Sequence, residues 1–324
     1  MSIRRRSALS AIAGALASPF ASRAQESKEL KIVVPTGAGG PVDGLARVIG
    51  ERLAPLINQP VVVDNRSGAA GQIAAAMVAR SPGNSNMMLL GSLGIMSMSP
   101  HLYPNLPYDV GRDFAPVILC ARVPLALLVN PNVVPVSNVQ EFKRWARQQS
   151  GPVPFGTFGS GSVSHIAAEM LAADGGFKTV QVPYRDQPRI FSDLVKGDLP
   201  AVFEPPAGYL DYVKEGKLRI VGLTSSERSK AFPDLPTMQE MGLPGFEFSN
   251  WFGLFLPARV APAALQRLRT TLQAVVGSER FRDHFLSIGL DATGAATENF
   301  PEMVSSEYLR WQAFARKHDI KLTT

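Results

Sequence analysis

The sequence predicts an α/β protein of two doubly wound lobes joined by two hinge strands. Short apolar runs alternate with amphipathic helical patterns along the chain, which is typical of mostly parallel sheets with helices on both faces. The alternation occurs in two separate blocks, and proline-rich segments bracket the second block. Amphipathic helical patterns then return at the C-terminal end. We therefore expect a discontinuous first lobe with the second lobe inserted into it.

The first 24 residues are typical of an export signal. Arg4–Arg6 form a basic start, Ala8–Phe20 is mostly apolar, and Ser22–Ala24 places small residues at positions −3 and −1 of a cleavage site. The apolar run is too short to cross about 30 Å of hydrocarbon as a helix. The alternative is a short buried or amphipathic N-terminal helix. We expect a periplasmic protein, and the three arginines also suit the twin-arginine route.

Composition after cleavage excludes several functional classes. Removing Met1 to Ala24 from the 324 residues leaves 300, and the formal net charge falls from +6 to +2 because the segment carries four arginines and no acid. Charges of both signs are mixed along the remainder, so no nucleic-acid partner is indicated. No later apolar stretch approaches 18 residues, which predicts a soluble mature protein. Cys120 is the only cysteine, which excludes an internal disulfide, and its apolar surroundings predict a buried, inert thiol.

The first block predicts strands at Leu30–Pro35, Val61–Val63 and Met87–Leu90, with helices at Asp43–Leu56 and Ala69–Ala79. The second block predicts strands at Val153–Phe158, Thr179–Pro183, Leu199–Phe203 and Leu218–Leu223, with helices at Ser164–Ala173, Ile190–Val195 and Tyr209–Lys214. Two later helices are expected at Pro262–Val276 and Asn299–Lys317. The predicted boundaries are 1–24 for the signal, 25–126 for lobe 1, 127–246 for lobe 2 and 247–324 for the return to lobe 1.

Two glycine-containing turns are candidates for ligand binding, because ligands of α/β lobes bind at the carboxyl ends of strands. The first turn, Pro35–Asp43, leads from a strand into a helix whose free N–H groups attract anions. It is neither a P-loop nor the dinucleotide-binding fingerprint. A plain connecting turn is the alternative, and Asp43 could instead cap the helix.

The second turn, Phe155–His165, offers hydroxyls and backbone amides at another helix start. Ser162 and His165 also suggest a hydrolase, but the chain lacks the Gly-x-Ser-x-Gly elbow. The two residues lie three apart on one helical turn, where the histidine more naturally caps or packs.

The remaining chemical groups indicate no catalytic residue, metal or cofactor. The other histidines, His101, His284 and His318, are scattered without ligand spacing, and no carboxylates stand out as a pair. Trp251 lies in an apolar run, which favours packing at the lobe junction over a stacking platform for a ligand.

Several segments carry a family resemblance. The most specific is FPDLPTMQEMGLPGFE from Phe232 to Glu247, and six shorter segments support it: Asp64–Arg66, Asp113–Val117, Val182–Arg185, Asp193–Leu194, Gly216–Arg219 and Leu223–Arg228. Together they resemble the Bug family, the substrate-binding receptors of tripartite tricarboxylate transporters, over essentially the whole mature chain. The resemblance implies a type II periplasmic binding protein whose two lobes hinge about a cleft.

The family binds small carboxylates or related molecules through loop amides, hydroxyls and bridging waters. Carried over by position, the resemblance implies a ligand-binding set in the loops that follow strands of both lobes: Thr36, Gly37, Ala38, Gly39, Gly40, Asp43, Ser92, Ser160, Gly161, Ser162, His165, Tyr184, Arg185 and Glu204.

Departures from the family pattern fall in these loops and concern the identity of the ligand. Thr36 replaces a phenylalanine, Asp186 replaces a glycine, and Glu204 stands where aspartate is common. Arg185 can grip a carboxylate with two hydrogen bonds. Asp186 and Glu204 either pair with Arg185 and Arg189, or an acid faces the cleft, repels polycarboxylates and favours a ligand with an amino group.

The expected function is that of a receptor which captures a small organic anion, either a carboxylate or an amino-acid-like ligand. Closure around the ligand requires only a higher affinity in the closed state. The receptor then delivers the ligand to the membrane subunits of a tripartite tricarboxylate transporter. The alternatives are an α/β hydrolase or group-transferase, and a sensor uncoupled from transport that signals to a partner such as a sensor kinase.

Overall fold

Two mixed five-stranded sheets form the framework of the protein. The computed structural model describes residues 29–159, 161–184, 187–292 and 299–318, so the expected export signal lies outside the described residues. The strands are β1 (Leu30–Val34), β2 (Val61–Asn65), β3 (Met87–Ser92), β4 (Phe114–Pro124), β5 (Ala126–Val129), β6 (Val153–Thr157), β7 (Thr179–Pro183), β8 (Ala201–Glu204), β9 (Arg219–Leu223) and β10 (Ser249–Pro257).

Helices cover both sheets, and their ends carry recognisable signals. The longest helix of the first block has proline at its start and buries Leu45, Ile49 and Leu53 on one face. The helices are α1 (Pro41–Ile57), α2 (Gln72–Ala79), α3 (Ser99–Leu102), α4 (Val110–Asp113), α5 (Val139–Arg147), α6 (Val163–Gly175), α7 (Gln187–Lys196), α8 (Leu210–Lys214), α9 (Pro262–Val276), α10 (Glu279–Ser287) and α11 (Phe300–His318). Short π- and 3₁₀-helical turns occupy Gly94–Met98, Ala69–Gly71 and Pro206–Tyr209.

The first sheet has the strand order β2-β1-β3-β10-β4. Its β1 pairs in parallel with β2 and β3, whereas β10 runs antiparallel to both β3 and β4. The return strand β10 therefore lies between two strands of the N-terminal block. We call this sheet and its helices, residues 29–124 and 249–318, lobe 1.

The second sheet has the order β7-β6-β8-β5-β9, with β6 parallel to its two neighbours and β5 antiparallel to its own. We call residues 126–223 lobe 2. The chain passes between the sheets at Leu125 and again after β9. The second crossing follows Glu247, because the segment after β9 first returns to lobe 2 through the bridge between Thr237 and Leu223. Both crossings lie beside Thr224, which exchanges two hydrogen bonds with Leu125 (3.0 and 2.8 Å) and accepts one from the Phe248 amide (2.7 Å).

The core contains the residues that the sequence marked as inert. Trp251 is fully buried and packs edge-on against Phe300 at 5.7 Å between ring centroids, so it is a packing residue. Cys120 is also fully buried, and burial raises the pKa of its thiol to about 12, which keeps it protonated. The His101 ring bonds to the Tyr308 carbonyl at 2.9 Å.

Within the described ranges, none of the helices has the length and apolar character that a membrane span requires. The same ranges contain no group of three or more His, Cys, Asp or Glu side chains arranged to hold a metal ion.

Candidate ligand-binding site

Loops from the two lobes meet at the carboxyl ends of their parallel strands. Gly94 follows β3 of lobe 1, and Val163 begins α6 of lobe 2. A Cβ placed on Gly94 would lie 3.6 Å from Val163 Cγ2 and 3.9 Å from Ser92 Oγ. Ligands of open α/β sheets bind outside these strand ends. The candidate site is therefore the crevice between the lobes.

The first predicted turn borders open space. Thr36, Gly37, Ala38 and Gly39 are exposed, and a Cβ placed on any of the three glycines from Gly37 to Gly40 would meet no described atom within 4 Å. Gly40 is the N-cap of α1 and provides no side-chain cap, so the first N–H groups of the helix are available to an anion.

Asp43 organises this turn from beneath. Its side chain is buried and accepts hydrogen bonds from the Gly39 amide (2.9 Å), Asn65 Nδ2 (3.0 Å) and Arg47 Nε (2.8 Å). Burial alone would raise its pKa, but these bonds and the charge of Arg47 outweigh burial and hold the pKa below its ordinary value. Asp43 therefore holds the turn from the first turn of α1 and does not cap the helix, whose N-cap is Gly40.

The Gly39 amide, an expected ligand donor, already donates to Asp43 in the described conformation. Asn65 is a residue that the sequence analysis did not single out as part of the site. Its amide group also donates to the Thr36 carbonyl at 3.1 Å, so it ties β2 to the turn. Its position at the carboxyl end of a strand was the signal available in the sequence.

The second turn is built around a helix cap. Ser162 is the N-cap of α6, and its hydroxyl accepts from the His165 amide at 3.3 Å and contacts the Ser164 hydroxyl at 3.1 Å. The His165 ring is buried: its Nδ1 accepts from the Gly161 amide at 2.9 Å, and its Nε2 lies 3.6 Å from Glu169 Oε1. Ser162 and His165 therefore form a cap rather than a nucleophile–base pair.

These contacts occupy polar groups of two further residues that the sequence predicts to bind the ligand. The Gly161 amide donates to His165 and is not free for a ligand in this conformation. Both ring nitrogens of His165 face groups of its own lobe. Ser160 lies outside the described residues. The Ser162 hydroxyl, which is only partly buried, remains at the crevice.

We predict that Ser162→Ala lowers the free energy of unfolding by about 1 kcal/mol, because an N-cap acceptor is lost. Chemical denaturation of the ligand-free protein measures this change. Ser162→Asp keeps an acceptor at the cap and is expected to retain most of the stability. Equal stability of the alanine variant and the wild type would show that the cap contributes nothing.

Tyr184 is anchored within lobe 2. Its hydroxyl donates to Asp193 Oδ2 at 3.0 Å, and Arg189 Nε donates to the same oxygen at 3.2 Å. Burial and the adjacent Asp193 carboxylate raise the pKa of Tyr184 to about 12. Its hydroxyl is therefore a structural donor, and Arg189 pairs with Asp193 rather than with Glu204. Arg185 and Asp186 lie outside the described residues.

Glu204 ends β8 and is 3% exposed. Burial raises the pKa of its carboxyl group to about 8, so the group is largely protonated at neutral pH. The idea that this residue repels polycarboxylates requires a charge that the group does not carry under these conditions. Thr157 and Phe158, at the end of the adjacent β6, provide a buried hydroxyl and a 39% exposed ring at the same edge.

Comparison with known proteins decides the family. The family model described as "Tripartite tricarboxylate transporter family receptor", TctC, matches residues 45–320. The chain belongs to the TctC family. The resemblance to Bug receptors is thereby confirmed, and TctC proteins are binding proteins and not enzymes.

Solved structures extend the match to the fold. Rpa4515 of R. palustris with adipate is 31% identical, with a TM-score of 0.81 over 91% of this chain and 98% of that one. The periplasmic binding protein BugD is 28% identical, with a TM-score of 0.80 over 91% and 99%. MatC from Rhodopseudomonas palustris with bound malate is 27% identical, with a TM-score of 0.79 over 88% and 98%. The expected α/β periplasmic binding-protein fold of this TctC protein is confirmed.

Proposed function

We propose that the protein is an extracytoplasmic receptor that captures a small carboxylate between its lobes. The meeting of the Gly94 and Val163 loops carries this proposal, because it places strand ends of both lobes around one crevice. The exposed first turn and the start of α1 supply anion-binding N–H groups. The TctC structures with adipate and with malate support a carboxylate as the ligand.

The ligand-contacting groups in this proposal are the ones left accessible by the internal hydrogen bonds. On lobe 1 they are the Thr36 hydroxyl, the Gly40 amide and the Ser92 hydroxyl. On lobe 2 they are the Ser162 hydroxyl and the exposed Phe158 ring. Arg185 and Ser160 complete the proposed set from the sequence, and Arg185 would bind one carboxylate in a bidentate manner.

The hinge of this receptor is the pair of crossings at Leu125 and Phe248, both of which hydrogen-bond to Thr224. We place the moving bodies at the sequence boundaries, 25–126 with 247–324 against 127–246. A ligand that contacts both bodies has a higher affinity for the closed arrangement, and this difference drives closure.

Delivery to the membrane subunits of a tripartite tricarboxylate transporter follows from the family, whose members are the receptors of such transporters. The basic, apolar and small-residue pattern of Met1 to Ala24 supports export to the periplasm with removal of this segment. A receptor that only signals is the second candidate, and no specific structural feature favours it.

The test is a thermal-shift screen of protein purified from the periplasm, whose mass also reports cleavage after Ala24. Mono-, di- and tricarboxylates, amino acids and aromatic acids form the panel. A dicarboxylate at 100 times its Kd stabilises the folded state by about 2.7 kcal/mol, which corresponds to a rise in Tm of roughly 5 °C.

The control is a pair of glycine variants. Gly94→Leu fills the meeting point of the loops and is expected to remove the shift, whereas Gly151→Ala changes an open position of lobe 2 and should retain it. The proposal is wrong if no carboxylate raises Tm, or if Gly94→Leu responds like the wild type.

A further inference from the structure

Glu204 is a buried carboxyl group to which no described residue makes a hydrogen bond or an ion pair. It is 3% exposed and is the last residue of β8. The other buried acids of the proposed site behave differently, because Asp43 accepts three hydrogen bonds and Asp193 accepts two. A buried polar group without a partner destabilises the fold, so its presence at a binding site calls for a functional reason.

The position of Glu204 points to the ligand. The parallel register of β6 and β8, with Gly156 beside Val202, places Glu204 level with Phe158 at the start of the second turn. On its other side Glu204 pairs with Ala126, the first residue after the crossing from lobe 1. The residue therefore lies at the end of the second sheet that borders the crevice.

The side chain shares the sheet face of Val202, which α7, α8 and the turn Pro206–Tyr209 cover. Tyr209 is fully buried in this cluster, where its hydroxyl interacts with the Gln187 side chain and electrostatically with Glu204. Charged groups on the surrounding elements pair among themselves: Arg189 with Asp193, Lys214 with Asp211, and Arg228 with Glu240. Across the crevice, Arg47 pairs with Asp43.

We propose that Glu204 determines ligand specificity by donating a hydrogen bond from its neutral carboxyl group to a carboxylate of the ligand. This inference rests on the proposed function. A protonated carboxyl offers one O–H donor, whereas its ionised form offers none. Hydrogen bonds from O–H groups to carboxylates are short and strong. The site thus binds an anionic ligand through a neutral carboxyl group rather than through a cationic side chain.

This recognition couples ligand binding to a proton. Burial holds the pKa of Glu204 at about 8 in the free protein, so the binding-competent, protonated form dominates below this pH. The apparent Kd is the intrinsic Kd divided by the competent fraction. At pH 9 about one tenth of the molecules are protonated, so affinity for a dicarboxylate falls about tenfold relative to pH 7.

The experiment is titration calorimetry with adipate at pH 7 and pH 9. The wild type is expected to lose about tenfold in affinity at pH 9 and to take up close to one proton per ligand bound, measured from buffers of different ionisation enthalpy. Glu204→Gln replaces the O–H donor by an N–H donor that does not titrate. This variant should bind equally at both pH values without proton uptake. Glu169→Gln, a matched change at an acid beside His165, should keep the wild-type profile.

The wild-type profile tests the inference even if the Glu204 variant does not fold, and unfolding scans at pH 9 verify that the wild type is folded. The inference is overturned if the wild type binds adipate equally at pH 7 and pH 9. It is also overturned if the affinity of Glu204→Gln falls at pH 9 as much as that of the wild type. If adipate does not bind at pH 7, the strongest carboxylate of the screen replaces it. The absence of binding by every carboxylate refutes the proposed function, and the role of Glu204 falls with it.

Discussion

Glu204→Gln is expected to flatten the pH dependence of stability of the ligand-free protein. Burial raises the pKa of this carboxyl group from 4.5 to about 8, so the folded state keeps a proton that the unfolded chain releases between these values. The contribution of the group is complete below pH 4.5 and is lost as the pH rises through 8. The wild type should lose about 1.4 kcal/mol per pH unit in this window, or about 3 kcal/mol between pH 5 and pH 7.5.

Denaturant unfolding at pH 5, 6, 7 and 8 measures this slope, and the glutamine variant should show a much smaller slope. Glu215→Gln is the matched control, because Glu215 is an exposed acid of the same lobe that pairs with Lys217. Its slope should equal that of the wild type. A wild-type stability that stays constant from pH 5 to pH 8 would show that Glu204 ionises in the folded protein at its ordinary pKa.

Local signals in the sequence predict much of the fold. The expected strand Leu30–Pro35 and helix Asp43–Leu56 correspond to β1 and α1 with shifts of one or two residues at the ends. Hydrophobic period and turn glycines suffice there, because both are properties of neighbouring residues. The antiparallel insertion of β10 between β3 and β4 depends on pairing between segments more than 120 residues apart, so the sequence led us to expect a mostly parallel sheet where the structure has a mixed one.

The candidate site, like the fold, is predictable from local sequence only in part. Strand–turn–helix patterns locate the two turns, but the partner of each donor depends on how each turn closes. Gly161, with φ +77°, directs its amide to the His165 ring, and the Gly39 amide meets Asp43. Such internal bonds compete with a ligand for the same N–H groups. The burial of Glu204 likewise arises from elements distant in sequence, and therefore its protonation state was not readable from its neighbours.

Asp43→Ala is expected to lower the free energy of unfolding by about 3 kcal/mol and to weaken carboxylate binding. The substitution removes a buried carboxylate that accepts from the Gly39 amide and from Asn65 Nδ2, and hydrogen bonds to a charged group contribute about 1.5–3 kcal/mol each. The bond to Arg47 adds less, because that side chain is 56% exposed and water can replace its partner. Denaturant unfolding measures the stability, and calorimetry with the carboxylate identified in the screen measures the affinity.

Asp64→Ala provides the matched control, since Asp64 precedes Asn65 in β2 and pairs with Arg66 at the surface. Its loss should lower the free energy of unfolding by less than about 1 kcal/mol. Asp43→Asn keeps one oxygen acceptor and should fall between the wild type and the alanine variant. The lowered pKa of Asp43 means that its contribution is present above its ordinary pKa of 3.8 and disappears as the pH falls through its folded-state value. The wild type and Asp64→Ala, which both keep Asp43, should show this acid-side loss, and an equal loss in Asp43→Ala would mean that another carboxylate causes it.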